Sequence, residues 1–183
     1  MMELKRLQRD ILYRGRIVDL FVDKVESPSG RTSVREIAHH PGGAAAVPLL
    51  PDGRIILVEQ LRYPLGERIL ELPAGKLDPG EDPKIAAARE LEEETGWIAG
   101  SLKKLVAIHT SPGFCDEQLH IYLATDLHES PHGHQREEAE LSMTVHMLTL
   151  EQSLRMIDSG EITDAKTVVG LLLADRLSGR LKS

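Results

Sequence analysis

Apolar positions fall into short strand-like runs near the start of the chain and into longer runs, broken by one helical stretch, further on. Ile11-Leu12-Tyr13, Ile17 to Val22 and Thr32 to Ile37 read as strands, separated by Arg14-Gly15 and by the turn signal Ser27-Pro28-Ser29-Gly30. A meander of this size buries little alone, so residues 4–39 are expected to pair with the main domain or with a second subunit. Pro41-Gly42-Gly43 is the best boundary, dividing a β segment of 1–40 from a main domain of 41–183. Within that domain, Ala44 to Leu50 and Arg54 to Gln60 are split by Pro51-Asp52-Gly53. This predicts a hairpin in the main sheet, with Pro48 at an edge or bulge. Leu102 to Ile108, Leu119 to Ala124 and Thr144 to Leu148 predict further strands, and residues 150–158 and 164–178 predict two helices around Gly160. The polar stretch from His128 to Glu140 predicts a mobile surface loop, whose His128, His132 and His134 are not spaced for joint metal ligation. Strands interleaved with helices place the chain in the α/β or α+β class.

The helical stretch lies in Gly75 to Trp97, GKLDPGEDPKIAAARELEEETGW. Asp82 suits an N-cap, Pro83 the first helical position and Gly96 a left-handed C-terminal cap. Ile85, Ala88 and Leu91 form an apolar stripe expected to hold the helix on a core, while Ala86 and Ala87 leave room on the acidic side. Glu90, Glu93 and Glu94 share a face, and they sit in the last turn, where the helix dipole disfavours negative charge. A divalent cation turns that repulsion into ligation. Oxygen donors without a cysteine or a histidine pair select Mg²⁺ or Mn²⁺, ions usually shared with substrate phosphates. The chemistry indicated is hydrolysis of a diphosphate linkage. Arg89, the one cation inside the cluster, suits a bidentate contact that orients a neighbouring glutamate.

Composition narrows the partners. A hydrophobic content of 41% and a charged content of 28% are ordinary for a globular protein of 183 residues. A net charge of −7 argues against general affinity for nucleic acid or anionic membrane, so an anionic substrate needs metal ions and local arginines. The single cysteine, Cys115, suits a reducing, cytoplasmic setting, and no apolar run approaches the length of a membrane span.

The spacing of Gly75, Glu81, Arg89-Glu90-Leu91, Glu93-Glu94, Gly96 and Trp97 resembles the complete Nudix box, with chance odds of roughly one in ten million. The resemblance implies an α/β/α sandwich, the box forming a loop-helix-loop, preceded here by an antiparallel β segment. It implies hydrolysis of a nucleoside diphosphate linked to another group. It also implies that Glu90 and Glu94 are the main metal ligands, joined by Glu93 and the Ala74 carbonyl, with Glu81 in support. Beyond the box, YRGRIVDLFVD, Val34 to Ile37, Gln60 to Pro64, Leu70 to Gly75 and the Ser111–Glu117 loop resemble the ADP-ribose pyrophosphatase branch. That branch consists of dimers that split ADP-ribose into AMP and ribose 5-phosphate. By position, Arg35 and Arg62 would contact the diphosphate or terminal ribose, and Pro112, Gly113 and Glu117 would line the site. The branch carries a catalytic carboxylate before the last strand. Arg136 to Leu141 offers Glu140 first and Glu138 second, each one residue from the ungapped position. Two alternatives stay open: a GDP-mannose or broad nucleoside-diphosphate-sugar hydrolase, and a non-catalytic nucleotide-binding module.

Overall fold

The computed structural model describes residues 4–136 and 142–181, which form ten strands and three helices. They divide into two compact units. One runs to Gly42 and also takes in Ile108–Gln118; the other comprises Gly43–Ala107 and the chain from Leu119 onward.

The first unit is built on an antiparallel sheet of β1 (Lys5–Arg14), β2 (Asp19–Glu26) and β3 (Thr32–His39), in the order β1-β2-β3. Gly30, at φ +78°, closes the β2–β3 turn by donating to the Ser27 carbonyl. A cross-strand stack fixes the register: Arg9 lies 4.4 Å over the Phe21 ring, which stacks on His39 at 5.6 Å. Arg9 also grips the buried Asp23 through two hydrogen bonds of 2.7 Å. The returning loop docks on β3, with Ala38 bridging Cys115 and Asp116 accepting from the His40 amide. Large apolar side chains stay exposed, among them Leu12, Tyr13, Ile17 and Val34.

The second unit is a mixed sheet between helices. β7 (Ala74–Lys76), β4 (Gly43–Pro48), β9 (Gln118–Glu129) and β8 (Trp97–His109) form one sheet in that order, with β4 and β9 parallel. Alternation along β4 serves both faces. Ala44 and Ala46 pack with Ala86, Ala87 and Leu91 of α1 (Pro83–Thr95), and Val47 meets α3 (Ala165–Leu181) at Gly170. A Cβ at Gly170 would lie 2.6 Å from Leu72 Cδ1 and 2.9 Å from Val47 Cγ2, so glycine permits that approach. This is the expected α/β/α sandwich. A second sheet runs β10 (Thr144–Thr149), β5 (Arg54–Arg62), β6 (Glu67–Glu71), with α2 (Leu150–Asp158) following β10.

Three expectations need correction. The runs around Pro51-Asp52-Gly53 do not make a hairpin in one sheet. The turn is tight and Leu49 bridges Ile55, but β4 and β5 part into different sheets. β4 is fully buried and takes β9 as a parallel partner, whereas β5, buried at Ile55–Val58, lies between β6, the next strand of its sheet, and the distant β10. Pro48 lies at neither an edge nor a bulge: it ends the inner strand β4, past the last β7 pairing, where its missing N–H costs no ladder bond. The α1 stripe is also rotated from the expected one. Ile85 is 63% exposed, whereas Ala86, Ala87 and Leu91 are fully buried, because alanines let the helix sit close on Ala44 and Ala46.

Candidate active site

Helix α1 has the ends its sequence encodes. Asp82 accepts from the Lys84 amide, Pro83 opens the first turn, and Gly96 caps in the left-handed region at φ +76°, donating to the Glu92 carbonyl. This turns Arg89, Glu90, Glu93 and Glu94 toward the junction where the chain leaves β6 for β7.

That junction is held group by group. Glu71 is buried, Leu72 N donates to Thr167 Oγ1 (2.8 Å), the Pro73 carbonyl accepts from Ala46 N (3.0 Å), and Ala74 N donates to Glu94 Oε2 (3.1 Å). At Gly75 a Cβ would overlap the carboxylate of Glu90. The glycine is therefore required by close approach of a functional side chain.

Arg89 organises the carboxylates. Its Nε and Nη2 each reach one oxygen of Glu81 at 3.0 Å, while Nη1 donates to Glu90 Oε1 (2.7 Å) and Glu93 Oε2 (3.1 Å). Its hydrogen bonds to Glu81 hold the guanidinium well above its ordinary pKa despite partial burial, and Arg89 in turn holds Glu81 below the usual carboxylate range. Glu90 and Glu94 are buried, and Glu93 is the more open. Among the described residues, no three acidic, histidine or cysteine side chains converge closely enough to hold an ion as they stand. Glu90 and Glu93 are drawn to Arg89 instead.

The C-terminal end of α1 is satisfied from a segment expected to be mobile. β9 extends to Glu129, and the chain then docks on the helix end. Ser130 N donates to the Gly96 carbonyl (2.7 Å), Gln135 N to the Glu93 carbonyl (2.8 Å), and Arg136 Nε and Nη2 to the Glu94 carbonyl at 2.9 and 2.7 Å. Arg136 places a cation against the negative end of the helix dipole. Sequence reasoning passed over it, since only the fold brings it to Glu94.

Arg62 pairs inward, its Nε and Nη2 reaching the two oxygens of Glu71 at 2.6 and 2.7 Å. Lys166 Nζ also bonds Glu71 and lies 3.0 Å from Asp164. Burial alone would raise the Glu71 pKa, but Arg62 and Lys166 outweigh it and hold the carboxyl below its usual value. Glu71, Asp164 and Lys166 were not singled out individually from the sequence. The LELPAG run contained Glu71, yet no local pattern joins it to residues 95 positions away.

The remaining expected residues belong to other segments of the chain. Arg35 is exposed on β3 and donates to Ser33 Oγ and the Val34 carbonyl. Pro112 and Gly113 occupy an exposed turn, while Glu117 accepts from Thr110 Oγ1 (2.7 Å) and lies 3.2 Å from His40 Nδ1. These four belong to the first unit, and the box residues to the second. Glu138 and Glu140 lie outside the described residues.

A family model described as NUDIX domain matches residues 39–166. An ADP-ribose pyrophosphatase of Bacillus subtilis is 43% identical over 170 residues, which cover 93% of this chain and 91% of that protein. A methanol dehydrogenase activator of Bacillus methanolicus is also 43% identical, over 92% of this chain and 91% of its own length. An ADP-ribose pyrophosphatase of Mycobacterium tuberculosis is 39% identical over 93% of this chain and 82% of that protein. A solved structure described as an ADP compounds hydrolase has a TM-score of 0.84 over 98% of this chain and 97% of that one; at 22% identity it shows the shared fold.

Proposed function

Because the chain belongs to the Nudix family, we propose that it is a metal-dependent pyrophosphohydrolase that cleaves the diphosphate linkage of ADP-ribose or a related ADP-sugar, releasing AMP and ribose 5-phosphate from ADP-ribose. The observation that carries this reading is the carboxylate cluster ordered by Arg89 against Gly75, in a chain that matches ADP-ribose pyrophosphatases over most of its length.

The donor set fits Mg²⁺, with Mn²⁺ as a substitute. Glu90, Glu93, Glu94 and the Ala74 carbonyl are hard oxygens on facing elements, and they carry more negative charge than Arg89 offsets. These four groups would hold the metal, after Glu90 and Glu93 turn from Arg89. When bound, the metal neutralises phosphoryl oxygens and acidifies the attacking water. Arg89 stays anchored on Glu81 and holds Glu90 and Glu93 beside the site until they turn to the metal, and Arg62 and Arg35 recognise the diphosphate or terminal ribose. The Pro112–Gly113 turn and Glu117 line the substrate. Glu140, with Glu138 as the second candidate, takes the proton from water as a P–O bond of the diphosphate breaks.

Exposed apolar side chains on the first unit support a homodimer, tested by light scattering. The single cysteine supports a reducing, cytoplasmic setting, and the net charge of −7 argues against nucleic-acid and anionic-membrane partners; among the described residues no helix is long and apolar enough to cross a membrane.

Incubation with ADP-ribose and Mg²⁺ should release AMP, and Glu94→Gln should lose nearly all of that activity. Turnover of GDP-mannose with none of ADP-ribose would overturn the substrate assignment; tight binding of ADP-ribose without turnover would favour a binding module. A second role rests on the Bacillus methanolicus relative: activation of a methanol dehydrogenase. It is tested by following that enzyme's rate with the wild-type protein and with Glu94→Gln.

A further inference from the structure

Glu71 stands three residues before Ala74, outside the box, and its side chain is 1% exposed. One edge of the Arg62 guanidinium, Nε with Nη2, is committed to it, while the Arg62 side chain is 40% exposed. Nη1 makes no hydrogen bond among the described residues. Lys166 engages Glu71 Oε2 from α3, so the carboxylate plane cannot turn with the arginine. Glu71 is also rigidly joined to the metal side of the site. Leu72 N is fixed by Thr167, whose hydroxyl is itself fixed by Asp164 (2.6 Å); next along the chain come the Pro73 carbonyl on Ala46 and Ala74 N on Glu94.

We propose that Glu71 is a positioning residue for substrate binding: it holds the Arg62 fork edge-on, so that the outward Nη1 edge is presented to the oxygens of the substrate's diphosphate at a fixed offset from Ala74 and Glu94. This rests on the reading that Arg62 meets the diphosphate. An arginine ordered before the substrate arrives loses less freedom on binding, and a planar fork loses its aim if either end slips. A purely stabilising role accounts for the geometry less well. A buried ion pair is no more stable than well-packed apolar residues of the same volume, and a stabilising pair has no need of a partner left half open to solvent.

The test measures kcat and KM for ADP-ribose, together with calorimetric binding of α,β-methylene-ADP in Mg²⁺. The variants are Glu71→Gln, Arg62→Lys, Arg62→Ala and the Glu71→Gln/Arg62→Ala double. Glu71→Gln should raise KM and Kd about tenfold with kcat within about threefold, because its amide cannot accept from both Nε and Nη2. Arg62→Lys should do the same, since an ammonium keeps the charge and loses the fork. The double variant should bind no worse than Arg62→Ala alone. A fall in kcat at unchanged KM, or a full extra effect of Glu71→Gln on top of Arg62→Ala, overturns the proposal. If Glu71→Gln does not fold, Arg62→Lys decides alone, and a wild-type KM and Kd in that variant is the overturning result. Failure of the wild-type protein to bind α,β-methylene-ADP or to hydrolyse ADP-ribose removes the substrate reading and this inference with it. Wild-type binding left unchanged by the variants removes the inference alone.

Discussion

Two clusters of opposite charges flank the β6–β7 junction, and they are balanced differently. In one, Arg89 faces three carboxylates, Glu81, Glu90 and Glu93. In the other, Arg62 and Lys166 face Glu71 and Asp164, two against two. The first lies at the end of a helix whose dipole already disfavours negative charge, so its excess of carboxylates is a cost to folding. The second is neutral and mostly buried. An unbalanced cluster held in place suits the capture of a cation, whereas a balanced one suits fixing the direction of its members. Nearness to the same backbone turn does not give them the same work.

The largest effects should come from breaking the unbalanced cluster. Glu94→Gln removes a proposed metal ligand and weakens the contact to Ala74 N; kcat/KM for ADP-ribose should fall about 10³-fold, with the melting temperature nearly unchanged. Gly75→Ala drives a methyl group into the Glu90 carboxylate. Its signature should be weaker Mn²⁺ binding by titration and an activity loss of about 10–100-fold, the range for groups that orient ligands. Full Mn²⁺ affinity in Gly75→Ala would argue that Glu90 binds no metal and would undo the contrast between the clusters.

How much of this was legible depends on distance along the chain. The α1 ends and the Arg89 cluster are local: Asp82, Pro83 and Gly96 announce the helix, and positions 81 to 94 carry the carboxylates. The sheet layout was not legible. A short Pro-Asp-Gly turn between two apolar runs looks the same whether the strands pair with each other or separate, and β5 pairs instead with β6 just after it and with the distant β10. The inward pairing of Arg62 was hidden for the same reason, since Lys166 closes that cluster from the other end of the chain. The polar stretch at 128–136 reads as a mobile loop because its anchors are backbone carbonyls at the end of α1, which carry no side-chain signature.

A smaller effect tests whether the docked segment belongs with the unbalanced cluster. Arg136→Gln removes the two hydrogen bonds that the guanidinium donates to the Glu94 carbonyl and the charge that offsets the helix dipole. Denaturant unfolding should show a loss of about 1–3 kcal/mol. If stability and activity are both unchanged, the segment contributes nothing to the helix end.

The smallest effect concerns the balanced cluster and pH. Burial pushes the Glu71 carboxyl up, but hydrogen bonds from Arg62 and the charge of Lys166 prevail and leave it below the ordinary glutamate value. A carboxyl depressed by folding contributes its full stability above the unfolded-state pKa of about 4.3 and loses it as pH falls through the lower folded-state value. The gap in unfolding free energy between the wild-type protein and Glu71→Gln should therefore be widest near neutrality and narrow progressively below about pH 4. The corresponding gap for Glu81→Gln should follow the same sign, since Arg89 depresses Glu81 as well, but with smaller amplitude. Losing Glu81 leaves Arg89 with Glu90 and Glu93, whereas losing Glu71 removes the one carboxylate that Arg62 bonds among the described residues. A Glu81→Gln gap as large and as steep in pH as that of Glu71→Gln would mean that the two clusters differ in count but not in kind.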